Sequence, residues 1–395
     1  MPLGIYISVP FCRTKCSYCN FASDVFSRVV FERYVDRVCA DIEGSPRVAK
    51  EMGGKLERGV NSIYLGGGTP TVLESAQLER IFAAVRREFE VSSEAEITVE
   101  CAPGTLTSAM LGSLLRCGVN RVSLGVQSFV DQEAAAVGRL HKRATVLDDI
   151  ARLRASGIAN INIDLIAGLP DQTAESWELS LAEAIATGVS HVSVYMLEVD
   201  EDSRLGREVI AGGTRYHAHF VPGEEAVADF YGTACERLQS AGLAQYEISN
   251  FAREGLESRH NLKYWTRQPY FGFGVDAHSM LASATPENDA VRFASSDSLD
   301  QYMSGSALQR TPVSRLAALE ESFFLGLRLN RGVSLLELSS KFGKETVKAD
   351  CNTISELIES ALMERRGDSV SLTARGRLLS NEVFERFILA DEIAH

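Results

Sequence analysis

The sequence predicts an α/β fold built on a parallel barrel, open or closed. Six short runs rich in β-branched residues recur in the first half of the chain, and segments of helical periodicity such as 73–89 and 175–187 separate them. This alternation is typical of parallel strands joined by helices. The predicted strands are residues 4–9, 62–65, 96–101, 121–126, 160–167 and 191–197.

The later part of the chain predicts a smaller second domain, because 395 residues exceed what one hydrophobic core usually organises. Beyond residue 198 the alternation loosens, with one clear helix at 224–240. A helical stretch at 316–362 and a hairpin around Gly367, with a strand at 369–372, resemble a small winged-helix module. We therefore divide the chain into a core (1–200), a core extension (201–310) and a C-terminal helical, winged-helix-like domain (311–395).

Composition narrows the classes of partner. The formal net charge of -13 argues against a nucleic-acid partner, which favours a basic surface that neutralises phosphates. Residues 3–11 are apolar but too short to span a membrane, and no run of about 18 apolar residues occurs elsewhere. With no transmembrane segment and no secretory leader, we expect a cytoplasmic protein, and peripheral membrane association stays open.

Three cysteines, Cys12, Cys16 and Cys19, follow the first predicted strand. A [4Fe-4S] cluster is normally held by four thiolates, so a triad without a nearby fourth cysteine leaves one iron open to an exchangeable ligand. Zinc is an alternative, but zinc sites usually need a second cysteine pair, which the sequence lacks. A disulfide framework is not expected in the reducing cytosol. The other cysteines are scattered and expected in the core: Cys39, Cys101, Cys117, Cys235 and Cys351.

Polar residues and glycines also stand at the ends of the next predicted strands. The second strand leads into a glycine run, residues 66–68, which lets a ligand approach the backbone and its amide donors. The third ends near Glu100, the fourth leads into Gln127, and the fifth carries Asp164. Buried carboxylates are costly unless they bond a partner or a ligand. Arg139 is suited to meet a ligand carboxylate with its planar guanidinium. Since binding groups of parallel barrels lie at the carboxyl ends of the strands, we expect one polar ligand site there.

These motifs resemble, over nearly the whole chain, the radical S-adenosylmethionine proteins of the oxygen-independent coproporphyrinogen III oxidase group. The resemblance implies a partial (β/α)6 TIM-like radical SAM barrel in which Cys12, Cys16 and Cys19 hold a [4Fe-4S] cluster. It also implies that the open iron takes the amino and carboxylate groups of S-adenosylmethionine. The residues that it places in the S-adenosylmethionine site are Tyr6, the Tyr18 backbone, Gly67, Gly68, Thr69, Glu100, Gln127, Arg139 and Asp164.

Within this group the sequence is similar to the heme chaperone branch rather than to the true oxidases. The oxidases have a fourth cysteine where this chain has Phe21, and a long arm where only eleven residues precede Cys12. Residues 260–265 match the His-Asn-x-x-Tyr-Trp motif of the chaperones, and residues 246–251 and 379–384 also look like that branch. His260 is therefore the candidate heme ligand, although a histidine beside Tyr and Trp is as often simply packed and hydrogen-bonded.

Two positions depart from the family pattern. Ser8 stands where the family usually has a histidine, which puts any role of that imidazole in proton transfer or heme contact in doubt. Cys101 and Ala102 replace the usual Ala-Asn, so an amide near the cofactor is lost. His278 lies in a glycine-bearing turn and is a candidate for contact with a ligand. We expect an ordinary hydrogen-bonded loop histidine at this position.

The resemblance implies a heme chaperone that binds heme, a [4Fe-4S] cluster and S-adenosylmethionine and delivers heme to respiratory-chain proteins. The alternative is a radical SAM enzyme, either an oxygen-independent coproporphyrinogen III oxidase or a related methyltransferase, acting on a porphyrin-like or aromatic substrate. The sequence leaves open whether S-adenosylmethionine is cleaved, which protein accepts the heme, and the oligomeric state. No catalytic residue is assigned.

Overall fold

The computed structural model describes residues 1–388, so residues 389–395 of the predicted C-terminal domain lie outside the described part. A twelve-stranded sheet forms the centre, and a three-stranded sheet lies in the C-terminal part. The strands are β1 Leu3–Val9, β2 Gly59–Gly67, β3 Glu90–Cys101, β4 Arg121–Gln127, β5 Asn160–Ala167, β6 His191–Met196, β7 Ala244–Gln245, β8 Asn250–Ala252, β9 Tyr270–Phe273, β10 His278–Ala282, β11 Ala290–Ala294, β12 Gln309–Val313, β13 Val333–Ser334, β14 Met363–Arg366 and β15 Ser369–Leu372. The α-helices are α1 Arg28–Glu43, α2 Ser45–Met52, α3 Ser75–Glu88, α4 Ser108–Arg116, α5 Asp131–Ala136, α6 Arg143–Ala155, α7 Ala174–Ala186, α8 Arg204–Ile210, α9 Glu224–Ser240, α10 Arg259–Trp265, α11 Leu299–Ser304, α12 Arg315–Gly326, α13 Leu335–Phe342, α14 Lys344–Lys348, α15 Cys351–Glu359, α16 Ala374–Leu378 and α17 Ser380–Glu385, and 3₁₀-helices span Pro70–Val72 and Arg215–Phe220.

The first six strands are parallel and lie side by side in chain order. The order across the sheet is β12-β11-β10-β9-β1-β2-β3-β4-β5-β6-β8-β7. Strand β9 adds parallel to β1, whereas β8 adds antiparallel to β6. Because β12 and β7 end the described sheet at opposite sides, the barrel is open. The predicted partial (β/α)6 architecture is confirmed.

The barrel strands present one face to the covering helices and the other to the barrel interior. In β1, Leu3, Ile5, Ile7 and Val9 are fully buried in the hydrophobic core, as expected for a parallel strand covered by helices. Side chains alternate along a strand, so the intervening positions face inward. On the strands that follow, many inward positions are polar: Ser62, Tyr64, Thr98, Glu100, Ser123, Asn162, Asp164, His191 and Ser193. The interior is therefore suited to a polar ligand.

The structure extends the sequence prediction most between residues 244 and 313, where it adds strands β7–β12. These strands are two to five residues long, and β9 contains a glycine. Such short strands form because a neighbouring edge is available, and β9 pairs with β1 over residues 4–7. The predicted helix at 224–240 agrees with α9.

The C-terminal part is fixed to the sheet by a buried cluster of charges. Glu321 of α12 accepts a hydrogen bond from Arg267 Nε at 2.7 Å and lies 3.0 Å from Arg292 of β11. Arg267 also contacts Asp289 at 3.1 Å. Helices α12–α15 and the β14–β15 hairpin share a second hydrophobic core. None of the helices in residues 1–388 is long and apolar enough to cross a membrane. The predicted domain boundaries stay predictions.

Candidate cofactor site

A cavity of about 830 Å³ opens at the carboxyl ends of the barrel strands. It is lined by all three cysteines of the triad and by most of the predicted S-adenosylmethionine residues. The predicted residues that line it are Cys12, Cys16, Cys19, Tyr18, Gly67, Gly68, Thr69, Glu100, Gln127, Arg139 and Asp164. The structure therefore gathers in one place residues that are up to 152 positions apart in the chain.

The loop after β1 holds the triad as free thiols. Thr69 Oγ1 donates to Cys12 Sγ at 3.8 Å, and Lys15 Nζ lies 3.8 Å from Cys19 Sγ. Burial raises the pKa of the Cys12 thiol, so a bound cation is needed to favour the thiolate. Within residues 1–388 no three side chains are gathered closely enough to hold a single metal ion. In a [4Fe-4S] cluster each cysteine binds its own iron, so the three thiols need not converge on one ion.

The same loop ends at Phe21, the position of the fourth cysteine in the oxidases. Its ring is 64% exposed. Its carbonyl accepts a hydrogen bond from Lys15 Nζ at 2.7 Å, and the carbonyl of Ser23 accepts another from the same ammonium group. Lys15 therefore holds the end of the loop against the triad, and position 21 offers no thiolate.

The glycine run after β2 allows the backbone to pass close to β1 and Glu100. A Cβ on Gly68 would lie 2.6 Å from the carbonyl oxygen of Val9, and one on Gly66 would lie 2.7 Å from Glu100. Gly67 adopts a φ of +94°, which L side chains rarely adopt. Its amide donates to Glu100 Oε2 at 3.1 Å. The close approach of neighbouring atoms thus leaves no room for side chains at residues 66–68, where the backbone forms the floor of the cavity.

Within residues 1–388 the Glu100 carboxyl group is hydrogen-bonded by neutral donors. Tyr64 Oη donates to its Oε1 at 2.8 Å. Burial raises the pKa of Glu100 to about 7, and the nearby Asp164 adds to the rise, whereas Tyr64 and the Gly67 amide oppose it. The carboxyl group of Glu100 is therefore available to bind a charged or hydrogen-bonding group of a ligand.

Asp164 lies across the cavity in a network of neutral donors. Ser123 Oγ donates to its Oδ2 at 3.0 Å, and Asn162 Nδ2 donates to its Oδ1 at 2.7 Å. Burial raises the pKa of Asp164, while these donors lower it. His191 bonds the Asn162 carbonyl oxygen at 2.6 Å and so fixes the amide orientation. The network spans β4, β5 and β6.

Gln127 and Arg139 each have a buried polar atom that is not hydrogen-bonded within residues 1–388. Gln127 ends β4 with a φ of 70°, an unusual conformation for a residue with a side chain. Its Oε1 and Arg139 Nε are buried and have no hydrogen-bond partner within residues 1–388. Arg139 Nη2 donates to Tyr18 Oη at 2.7 Å. Buried polar atoms normally find partners, so both atoms are available to a ligand bound in the cavity.

Comparison with known proteins identifies the family. Residues 6–184 match the radical SAM superfamily, and residues 313–379 match the HemN C-terminal domain. The heme chaperone HemW of Bacillus subtilis is 34% identical over 97% of this chain and 98% of its own. HemW of Synechocystis sp. is 34% identical over 99% of this chain and 93% of its own. The chain belongs to the HemW family of the radical SAM superfamily.

The fold also matches an enzyme of the wider group. The Escherichia coli coproporphyrinogen III oxidase HemN, a radical SAM enzyme, superposes with a TM-score of 0.82. The match covers 98% of this chain and 90% of that chain at 24% sequence identity. At this identity the likeness establishes the shared fold, with its open barrel and C-terminal module.

The radical SAM family implies a [4Fe-4S] cluster and S-adenosylmethionine, and the cavity fits both. The three free thiols would hold the cluster, and Lys15 and Arg139 place positive charge near them. Glu100, Gln127, Arg139 and Asp164 provide acids, an amide and a guanidinium for the polar groups of S-adenosylmethionine. Together the two groups supply one-electron chemistry at an open iron. The side chains of Glu100, Gln127, Arg139 and Asp164 would orient S-adenosylmethionine when it is bound.

Two predicted residues lie below this cavity instead of lining it. The Tyr6 hydroxyl is 3.2 Å from the place where a Cβ on Gly67 would be, so the ring supports the glycine run from beneath. His260 is 1% exposed. Its Nδ1 bonds Ser62 Oγ at 3.0 Å and its Nε2 bonds Tyr264 Oη at 2.8 Å. Burial lowers the pKa of His260 to about 3. Both ring nitrogens are thus used within the protein, and the heme-ligand role of His260 stays a prediction.

The HemW motif that contains His260 closes the amino end of the barrel. Glu96 of β3 accepts from the backbone amide of His260 at 3.0 Å. Lys263 Nζ donates to the Pro2 carbonyl at 2.8 Å, and its stem fills the space above Gly4. Helix α10 therefore plugs the barrel from the side opposite the cysteines.

Other motifs of the branch reach the cavity. Ile248 and Ser249 line it, as do residues 378–382, and Arg328 lies between these two segments. The Arg328 guanidinium stacks over the Trp265 ring at 4.4 Å. Sequence reasoning recognised both segments as resembling the branch but did not place them at the site. The pairing with β6 brings Ser249 there, and the docking of the C-terminal part brings residues 378–382.

The two departures from the family pattern also lie near the cavity. Ser8 is buried, and its carbonyl accepts from Tyr34 Oη at 2.8 Å. Cys101 lines the cavity, and burial raises the pKa of its thiol to about 12. A neutral, buried thiol beside Thr105 at 3.4 Å behaves as a packing residue.

Proposed function

We propose that this protein is a heme chaperone that binds heme together with a [4Fe-4S] cluster and S-adenosylmethionine. The observation that carries the proposal is the exposed Phe21 at the end of the triad loop, where the oxidases have a fourth cysteine. The similarity to heme chaperones over nearly the full length supports it.

The cluster and S-adenosylmethionine sites rest on the same cavity. Cys12, Cys16 and Cys19 would bind three irons, and the fourth iron would bind the amino and carboxylate groups of S-adenosylmethionine. Gln127 Oε1 and Arg139 Nε are the unpaired atoms that such a ligand would satisfy. Glu100 and Asp164 would accept from its hydroxyl or ammonium groups.

Heme is the cargo, and respiratory-chain proteins are its proposed acceptors. His260 is the ligand that the motif suggests. In the described conformation, ligation by His260 requires α10 to release Ser62 and Tyr264. We place the protein in the cytoplasm, with peripheral contact to a membrane during delivery.

A second candidate function is radical enzymology on a porphyrin-like or aromatic substrate. The observation that favours it is the complete set of polar groups at the cavity, which also contains space beyond the cysteine loop next to Arg328 and residues 378–382. In this case S-adenosylmethionine would be cleaved and the substrate decarboxylated or methylated.

One experiment separates the two functions. Protein reconstituted anaerobically with iron and sulfide is given reductant, S-adenosylmethionine and either coproporphyrinogen III or heme. We expect a stoichiometric heme complex and no conversion of coproporphyrinogen III. Repeated turnover to protoporphyrinogen contradicts the chaperone proposal, and so does the absence of heme binding.

A further inference from the structure

A histidine-rich segment in the connection after β6 lies outside the cofactor cavity. The histidine segment, residues 215–220, follows α8 in the long connection between β6 and α9. Tyr216 is 38% exposed and Phe220 is 53% exposed, while the short side chain of Ala218 is buried. His219 packs against Phe220 with ring centroids 3.9 Å apart. The segment thus presents two histidines and two aromatic rings on an exposed surface.

His217 is arranged as a ligating histidine. Its Nδ1 lies 2.8 Å from Asp171 Oδ2, and its side chain is 52% exposed. Its Nε2 has no hydrogen-bond partner within residues 1–388. A carboxylate at Nδ1 fixes the proton on that nitrogen, which leaves the Nε2 lone pair free to bind a metal. Histidines that bind heme iron need such a free nitrogen.

The backbone of the segment is held in an unfavourable conformation. Tyr216 and His217 both adopt left-handed angles, with φ of 57° and 58°. Two consecutive residues with side chains in this region are uncommon, and such strain is concentrated at binding sites. Gly212 and Gly213 precede the segment in the chain. The strained turn is what carries the ring of His217 to Asp171.

Both ends of this connection are tied to the mouth of the barrel. The Asp171 amide, in the loop after β5, donates to the Phe220 carbonyl at 3.1 Å. The Leu205 amide of α8 donates to the carbonyl of Ser17 at 2.7 Å, inside the cysteine loop. The segment is therefore held by the loop after β5, and the preceding helix α8 is held by the cysteine loop.

From this geometry we infer a heme-binding site at the histidine segment, with His217 Nε2, and not the packed His260, as the axial ligand of the iron. The rings of Tyr216 and Phe220 provide the apolar contact for the porphyrin, and the exposed Arg215 is the neighbouring cation for a propionate. The inference rests on the proposed heme-chaperone function and assigns its cargo site. It places heme outside the cofactor cavity, at the same end of the barrel.

The test is a hemin titration of full-length, cluster-reconstituted protein. The variants are His217→Ala, Asp171→Asn and, as a matched control, His278→Ala. His278 is also exposed and paired with an aspartate, Asp276 at 3.7 Å, but lies on β10. We expect His217→Ala to weaken hemin binding by at least about tenfold and to change the Soret band, with a several-fold effect for Asp171→Asn. His278→Ala should match the parent.

The outcomes separate this site from the function on which it rests. If the parent binds hemin and His217→Ala binds it with the same affinity and spectrum, the site is wrong while the chaperone function stands. If the parent binds no hemin, both are overturned. Cluster absorption and circular dichroism of each variant report folding. Should His217→Ala fail to fold, the Asp171→Asn titration decides, and an unchanged affinity refutes the site.

Discussion

Replacing Glu100 by Gln should make the cofactor-free protein more stable, relative to the parent, as the pH rises. Burial raises the pKa of this carboxyl group from 4.5 to about 7. At about 1.4 kcal/mol per pKa unit, this difference corresponds to about 3 kcal/mol. The folded protein holds the proton between these two values, whereas the unfolded chain has released it. The contribution of Glu100 to the free energy of unfolding therefore falls as the pH rises through this window, and the loss is complete above the folded pKa.

The assay is denaturant unfolding of cofactor-free protein at pH 5 and pH 8, values that we choose to bracket most of the window. Between pH 5 and pH 8 the stability of Glu100→Gln relative to the parent should rise by about 2–3 kcal/mol, because the other titrating groups contribute equally to both proteins. The control is Glu90→Gln, the same substitution at the exposed first residue of β3, which should stay within about 0.5 kcal/mol of the parent. An identical pH dependence of stability in Glu100→Gln and the parent would show that the pKa of Glu100 is not raised in the folded protein.

Three further changes test the site. Cys16→Ala should abolish the cluster's visible absorption and lower the iron content. The control Cys351→Ala, at an exposed cysteine, should change neither. An unchanged iron content in Cys16→Ala refutes the cluster assignment. Asp164→Ala should weaken S-adenosylmethionine binding by more than about 1 kcal/mol in calorimetry, and an unchanged affinity removes Asp164 from the site. His260→Ala should lower the free energy of unfolding by about 2–4 kcal/mol, because it leaves Ser62 without its buried partner. A stable His260→Ala protein with an altered heme spectrum would instead restore the ligand role.

The parallel core was predictable because its signal is local. Each of the strands β1–β6 contains a β-branched run, and α9 carries a helical pattern over its full length. The strands β9–β12 were not predictable on the same grounds. Residues 270–273, with a glycine at position 272, form a strand because the edge of β1 is open to them. That pairing depends on the rest of the fold being in place.

The predictable parts of the cofactor site are those whose residues form patterns that are uncommon in sequences. Closely spaced cysteines, a glycine run and acids within apolar strands each stand out. Serine and asparagine do not, so the donors Ser123 and Asn162 that hold Asp164 were missed. The position of His260 was also hidden, because a motif of histidine and aromatic residues looks the same whether it binds a ligand or fills a barrel end.

The central claim is that the protein carries heme and hands it on. Protein loaded with one equivalent of radiolabelled heme, with cluster and S-adenosylmethionine present, is mixed with vesicles that contain a heme-free respiratory oxidase, and the label in each fraction is followed with time. The account predicts that label moves to the vesicles and oxidase activity appears, while the porphyrin stays chemically unchanged. Label that stays with the protein, or porphyrin that is chemically altered, would contradict it.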